Sequence, residues 1–385
     1  MSLPRNVRLL GLASLLNDIA SETIYPLLPE FFTKELGGSK ALLGLMEGIA
    51  ETVASLLKLW FGKVSDRIGG RKSFVLLGYG FTALLRPLVG LANMPWQVMS
   101  IRIADKIGKG VRTAPRDALI ADSTSEENRG RAFGFHRAMD HLGAAIGPAL
   151  ALVFLYFFPA QLRTLFLLTL IPGFAVVLLL TWGLKEVPHV PSETPALSTV
   201  SAPMTGNFRW FLVSMVAFTL GNSSDSFLLL RAGELGLPTW MLPVLWGLFH
   251  VVKSAASYAA GNWIGRLGAK PMIVVGWVLY ALVYLAFAMA DSAWQVWPLF
   301  FVYALHYALT EPAEKTLVAQ LIGAGKKGAA YGWYNMAIGI AALPASAIFG
   351  WLYQQAGPLA AFGLGSGLAV VAAVMLCQVR PRPAS

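Results

Sequence analysis

The 385-residue sequence contains a single cysteine, Cys377, which excludes a disulfide within the chain. Charge is scarce as well: 13% of residues are Asp, Glu, Lys or Arg, while 56% are hydrophobic and the mean hydropathy is +0.61. A soluble globular domain does not carry that balance, so the composition points to a membrane protein. No G-x-x-x-x-G-K-[ST] loop occurs, which leaves the chain without a phosphate cradle through which to use ATP by itself. No enzyme nucleophile motif is present, and nothing resembles a signalling domain. His136, Asp140 and His141 do not share one helical face, and no Cys or Met cluster supports them. Neither a metal site nor a cofactor is expected.

Apolar windows of about 18 residues or more recur along the whole chain, each long enough to cross a hydrocarbon core as a helix. They number twelve, at 8–32, 40–62, 73–93, 96–121, 130–157, 163–184, 208–231, 239–260, 272–291, 295–321, 328–354 and 359–377. The first lacks a small-residue cleavage site and is expected to be retained as a span. Basic residues outnumber acidic ones, 30 to 20, and their placement is uneven. With the N-terminus inside, sixteen Lys and Arg fall in inside segments and only Lys34, Lys40, Arg163 and Arg231 fall in outside loops. That asymmetry predicts both termini in the cytoplasm of a multi-pass protein of the cell membrane. The net charge of +10 is then a topology signal, and nucleic acid is not an expected partner.

The chain also repeats itself. "GKVSDRIGGRK" (Gly62 to Lys72) follows the second span, and "GNWIGRLGAK" (Gly261 to Lys270) follows the eighth. "RGRAFGFH" from Arg129 is echoed by "KKGAAYGWY" from Lys326, and Pro115 of the fourth span aligns with Pro312 of the tenth. Echoes at one offset imply two parallel six-helix bundles, 1–184 and 208–385, joined by a cytoplasmic linker at 185–207, with the solute path at midplane. The Gly62–Lys72 loop resembles the loop 2–3 signature of the major facilitator superfamily. "GAAIGP" (Gly143 to Pro148) resembles the G-x-x-x-G-P core of that superfamily's proton-coupled exporters. Lys106 and Gly110 stand at the Arg and Gly positions of its basic helix-4 motif. Three departures are visible: Gly70 where an arginine is usual, Gly265 in place of the second-half aspartate, and Ala151 and Leu152 in place of a glycine pair. The resemblance implies an all-α integral membrane protein of twelve transmembrane helices in two pseudo-symmetric bundles, working by alternating access.

Ten cations lie inside the spans, and five of them fall between Arg102 and Arg116. Arg102, Asp105, Lys109, Arg112 and Arg116 follow helical spacing and form one stripe. A cation at bilayer centre costs about 2.5–3.5 kcal/mol even on insertion scales, so the stripe must face protein or a wet cavity. Two readings of it stay open. One is a salt-bridge lattice with the acids of the first two spans, Asp18, Glu22, Glu47 and Glu51. The other is a solute site, for which Lys109 and Arg112 are the mid-depth candidates. Asp18 and Glu22, one turn apart in a span that lines the cavity in the family resembled, are the expected proton-coupling pair, with Glu311 next. In the second half, Asn222, Asp225, His306 and Tyr307 suit hydrogen bonding to a polar ligand. Asp66, Arg67 and Arg71, framed by Gly62 and Gly69, are expected to gate by making and breaking surface ion pairs. The reading is a secondary transporter, monomeric, moving a small polar, anionic or zwitterionic solute in exchange for protons, as an exporter. Uptake by symport and a transporter-fold sensor are the alternatives.

Overall fold

The structure is a computed structural model that describes residues 3–68, 70–125, 128–187, 206–322 and 327–379. Helix is the only regular structure among them. Helix α1 (Arg5–Ile24) continues to Glu35 through 3₁₀ and π turns, because Pro26 and Pro29 remove the amide donors a regular helix would use. Then come α2 (Lys40–Ile68), α3 (Lys72–Leu85, with a 3₁₀ extension Arg86–Leu91), α4 (Pro95–Asp122) and α5 (Arg129–Phe157). Next are α6 (Leu162–Leu168 and Leu170–Gly183) and α7 (Gly206–Gly221 and Ser226–Glu234). The remainder holds α8 (Leu242–Leu267), α9 (Ala269–Met289), α10 (Ala293–Ile322) and a final run, Lys327–Cys377. Gly357, at φ 79°, lies inside that run beside Pro358 and divides it into α11 (327–356) and α12 (358–377).

Among the described residues, the stretches long and apolar enough to cross a membrane by length and composition are Lys72–Leu91, Arg131–Phe157, Leu162–Gly183, Gly206–Glu234, Ala269–Met289 and Ala330–Cys377. The helices that fall short, α1, α2, α4, α8 and α10, include those that carry the intramembrane charges. Large apolar side chains point outward from the apolar helices: Leu84 is 68% exposed, Ile171 67% and Trp182 79%, as a lipid-facing surface requires.

Packing gathers the chain into two compact units. The first comprises Met1–Gly38, Val53–Ser198 and Thr239–Gly247; the second comprises Ser39–Thr52, Thr199–Pro238 and Leu248–Ser385. Both α2 and α8 are therefore shared between them. In the first unit α1 packs on α5 and α6, and α3 on α4 and α6, around Val7, Leu10, Val75, Tyr79, Leu119 and Leu180. In the second, α7 and α9 pack on the final helical run and α9 also on α10. Its core is aromatic: Phe218 stacks on Trp277 at 4.7 Å and Tyr280 on Tyr284 at 4.0 Å. The N-terminal part of α2 lies in that unit against α11, where a Cβ on Gly44 would stand 2.1 Å from the Ser346 carbonyl oxygen and one on Gly350 2.5 Å from that of Lys40. Such approach is the main source of helix association where lipid removes the hydrophobic drive. One local device recurs at equivalent helix starts. Gln97 Oε1 accepts the amides of Asn93 and Met94 before α4, and Gln295 Oε1 accepts those of Asp291 and Ser292 before α10.

Candidate functional site

In the second unit the polar groups converge on a break in α7. The sequence Asn222-Ser223-Ser224-Asp225 cannot hold a regular helix because its short polar side chains compete for the backbone, and the helix restarts at Ser226 with Asp225 as its cap residue. The break frees the Gly221 carbonyl, which accepts from Tyr280 Oη at 3.0 Å; Asn222 Oδ1 lies 3.3 Å from the same hydroxyl. Asp225 Oδ1 accepts from Tyr303 Oη at 2.6 Å and from Tyr307 Oη at 3.3 Å. Lys253 Nζ sits 4.1 Å above the Tyr307 ring and 3.4 Å from Glu311 Oε2, which places a cation on an aromatic face between acids. Ser224 Oγ donates to Glu47 Oε2 at 3.4 Å from the N-terminal part of α2. Asn222, Asp225, Lys253, Tyr307 and Glu311 are only half-buried, so the cluster is open to a ligand.

In the first unit the charges sort into two groups. Arg86 is buried at the start of the 3₁₀ extension of α3, where Nη1 donates to Asn17 O and Oδ1, both at 2.9 Å. Its Nε lies 2.8 Å from Asp105 Oδ1 in α4, a charge contact whose N–H is not aligned for a hydrogen bond. Arg112, 3% exposed, lies 4.4 Å over the Tyr79 ring and donates to Thr82 Oγ1 at 3.3 Å, facing α3. Arg102 lies 5.2 Å over Tyr25, and Lys109 is exposed. The second group is on α1. Glu22 Oε2 accepts from Trp246 Nε1 at 2.7 Å, and Asp18 Oδ1 accepts from the adjacent Asn17 amide at 2.9 Å. Both acids lie against the glycines of α5, with Asp18 Cβ 2.9 Å from where a Cβ on Gly143 would be and Glu22 Cβ 3.1 Å from one on Gly147.

At the end of α2, Gly62 faces Ala114 of α4 and Arg67 is exposed. Arg71 is 4% exposed and its guanidinium pairs with the Asp122 carboxylate. The backbone N–H groups of Arg71 and Lys72 donate to the two oxygens of Glu186, at 3.0 and 2.9 Å. The Asp66 side chain and Gly69, also expected in the gate, lie outside the described residues.

This geometry, with a broken helix lined by polar groups inside an apolar bundle, agrees with the sequence comparisons. The sequence model of the Major Facilitator Superfamily matches residues 10–342 and 247–385. This chain belongs to the Major Facilitator Superfamily. An uncharacterised MFS-type transporter of Methanocaldococcus jannaschii is 31% identical over 380 residues, spanning 97% of this chain and 94% of the relative. The multidrug resistance protein MdtH of Salmonella newport is 24% identical over 349 residues, 88% of this chain and 84% of MdtH. Among solved structures, a mutant of the nucleoside transporter NupG superposes with a TM-score of 0.82 at 13% identity, over 97% of this chain and 99% of that one. A POT family transporter in complex with 5-aminolevulinic acid superposes with a TM-score of 0.77 at 13% identity, over 97% and 96%. At such identities the superpositions speak for the fold alone.

Within the superfamily's fold, the residues expected from sequence fall into distinct settings. Asn222, Asp225 and Tyr307 come together, and Glu311 joins them through Lys253. His306 is their neighbour in sequence but is 1% exposed, its Nδ1 2.8 Å from the Gly276 carbonyl oxygen inside the aromatic stack. Lys109 and Arg112 share a helical stripe yet not a setting, since one is exposed and the other is packed against α3. Tyr303, one of the α10 polar groups that suit a ligand, joins the second-unit cluster on Asp225, while Lys253 and Glu47 complete it without having stood out as a site. Lys253 was visible as one of the intramembrane cations; its partner Glu311 is too distant in sequence for helical spacing to connect them.

Proposed function

We propose that this chain is a secondary transporter that carries a small polar, anionic or zwitterionic solute across the cell membrane by alternating access, exporting it in exchange for protons, with both termini in the cytoplasm. The two sequence halves, 1–184 and 208–385, act as the moving bundles on either side of the linker. The observation that carries the reading is the α7 break. It sets Asp225, held by two tyrosine hydroxyls, beside Lys253 over Tyr307, so that one half-buried cluster offers a carboxylate to an ammonium group and an ammonium to a carboxylate. Asn222 and Tyr307 orient the solute, and His306 supports them from behind. Lys109 supplies positive charge in the first unit for an anionic group, and Arg112 joins it only when its contacts with Tyr79 and Thr82 on α3 are released. Asp18 and Glu22 carry the coupling proton, because half-buried intramembrane acids, here hydrogen-bonded by the Asn17 amide and the Trp246 indole, can exchange protons when that setting changes. Glu311 is the reserve position. Arg71, Arg67, Asp66 and the glycines Gly62 and Gly69 form the cytoplasmic gate. The relationship to MdtH favours export.

Purified protein in proteoliposomes, given radiolabelled 5-aminolevulinic acid as a zwitterion and uridine as a neutral comparison, tests this under imposed pH gradients of either sign. The expected result is saturable, gradient-driven movement of the zwitterion that is lost in Asp225→Asn. Binding without movement would assign a sensor, and movement indifferent to the pH gradient would remove the proton from the mechanism.

A further inference from the structure

The seam between α1 and α5 holds titratable groups that the solute cluster does not use. On α1, Ser14, Asp18 and Glu22 recur every four residues; on α5, His136, Asp140, Gly143 and Gly147 follow at steps of four, three and four. Each set makes one helical face, and the two faces meet. The Ser14 hydroxyl donates to Asp140 Oδ1. One turn on, Gly143 lets the backbone of Leu15 and the Cβ of Asp18 come into contact range, and Gly147 does the same for Glu22. One turn back, His136 Nδ1 lies 3.5 Å from Asp140 Oδ2. His136 is 3% exposed, and its Nε2 is buried with no hydrogen-bond partner among the described residues. An unmatched buried polar nitrogen costs about 1–3 kcal/mol. A packing histidine would be replaced by an apolar residue at no loss, whereas an imidazole with one nitrogen on a carboxylate and the other uncommitted is arranged to pass a proton through.

We propose that His136 is the relay between Asp18 and the α5 start, with Asp140 as the intermediate station. The inference rests on the reading of Asp18 as the coupling acid. A proton leaving the Asp18 carboxyl is taken by Asp140 along the Ser14 side of the seam. Asp140 gives it to His136 Nδ1, and the ring releases the proton it carries on Nε2 to a solvent water that reaches the ring when the cytoplasmic side opens, so one N–H forms as another breaks and the water carries the proton away. The other charged groups facing this path are Glu22 on α1, Arg112, Arg116 and Asp117 on α4, and Arg137 on α5, whose guanidinium is 3.9 Å from Asp140 Oδ2. The guanidiniums stay protonated at neutral pH and cannot pass a proton onward, and the acids lack the separate accepting and donating nitrogens of an imidazole.

Two measurements test it. In proteoliposomes, His136→Gln should slow pH-gradient-driven movement of 5-aminolevulinic acid by at least about tenfold, as loss of a positioned acid–base group does, while solute exchange at equal pH stays within about twofold, since exchange needs no net proton transfer. In parallel, nitrogen NMR of histidine-labelled protein, with His136 among five histidines identified by its loss in His136→Gln, should show an imidazole titration whose midpoint moves by about one pH unit in Asp140→Asn. A His136→Gln protein that accumulates solute like the parent would overturn the relay alone. An His136 signal that ignores Asp140→Asn would do the same. A wild-type protein indifferent to the pH gradient would overturn the coupling role of Asp18, and the relay with it. Equal losses in driven movement and in exchange would assign His136 to packing.

Discussion

Replacing Asp105 with asparagine separates the salt-bridge reading of α4 from the solute reading. The side chains of Arg86 and Asp105 are 9% and 6% exposed and approach to 2.8 Å. At an effective dielectric of about 20 two unit charges at that distance attract by about 6 kcal/mol, much of it offset by the cost of removing both from water. Deleting one partner forfeits the attraction and leaves the other charge buried, which costs about 3–5 kcal/mol. The two bonds from Arg86 to Asn17 persist and set the loss at the low end, near 3 kcal/mol. In a cooperative unit of this size each kcal/mol shifts the melting temperature by about 2–4 °C, so Asp105→Asn should melt roughly 6–12 °C below the parent. Tryptophan fluorescence during a thermal ramp in detergent reads this directly. Arg86→Met combined with Asp105→Leu should recover most of the loss, because no charge is then stranded. An Asp105→Asn protein that melts within about 1 °C of the parent, or a double variant no better than either single one, would refute the structural assignment.

Two further outcomes follow from close contacts. Gly44→Ala puts a Cβ about 2.1 Å from the Ser346 carbonyl oxygen and should cost about 1–3 kcal/mol in a melt, whereas Gly80→Ala, with nothing within 4 Å, should be neutral. Glu186→Ala removes the acceptor for two amides at the start of α3 and should cost about 0.5–2 kcal/mol, with Glu186→Gln intermediate in the same assay.

The all-helical membrane fold was legible because a lipid solvent demands apolar helices and makes each intramembrane charge conspicuous. The break in α7 was half-legible: Asn222 and Asp225 marked the place, but the tyrosines that hold Asp225 come from α10, some eighty positions further on, and only packing brings them there. The partner of Asp105 was not legible. Sequence spacing set the stripe against the acids of α1 and α2 and named no partner for Asp105, while the structure supplies Arg86, which sits where α3 tightens to a 3₁₀ turn and helical periodicity no longer indicates direction. Arg112 shows the same limit, since a stripe marks which residues share a face and does not say whether a cavity or a tyrosine lies opposite.

The sharing of α2 means that covalent order and packing partition the molecule differently. A chain cut within the linker would yield a C-terminal fragment whose α11 groove, at Ser346 and Gly350, lacks the segment Ser39–Thr52 that fills it here. The missing segment would travel with the other fragment, anchored to it by the rest of α2. The same cut would take the segment Thr239–Gly247, at the start of α8, away from the first unit, so reassembly of the two pieces would be governed by two exchanged helix segments, much as a donated strand completes an open sheet, and point changes at Gly44 or Gly350 would weaken one of them.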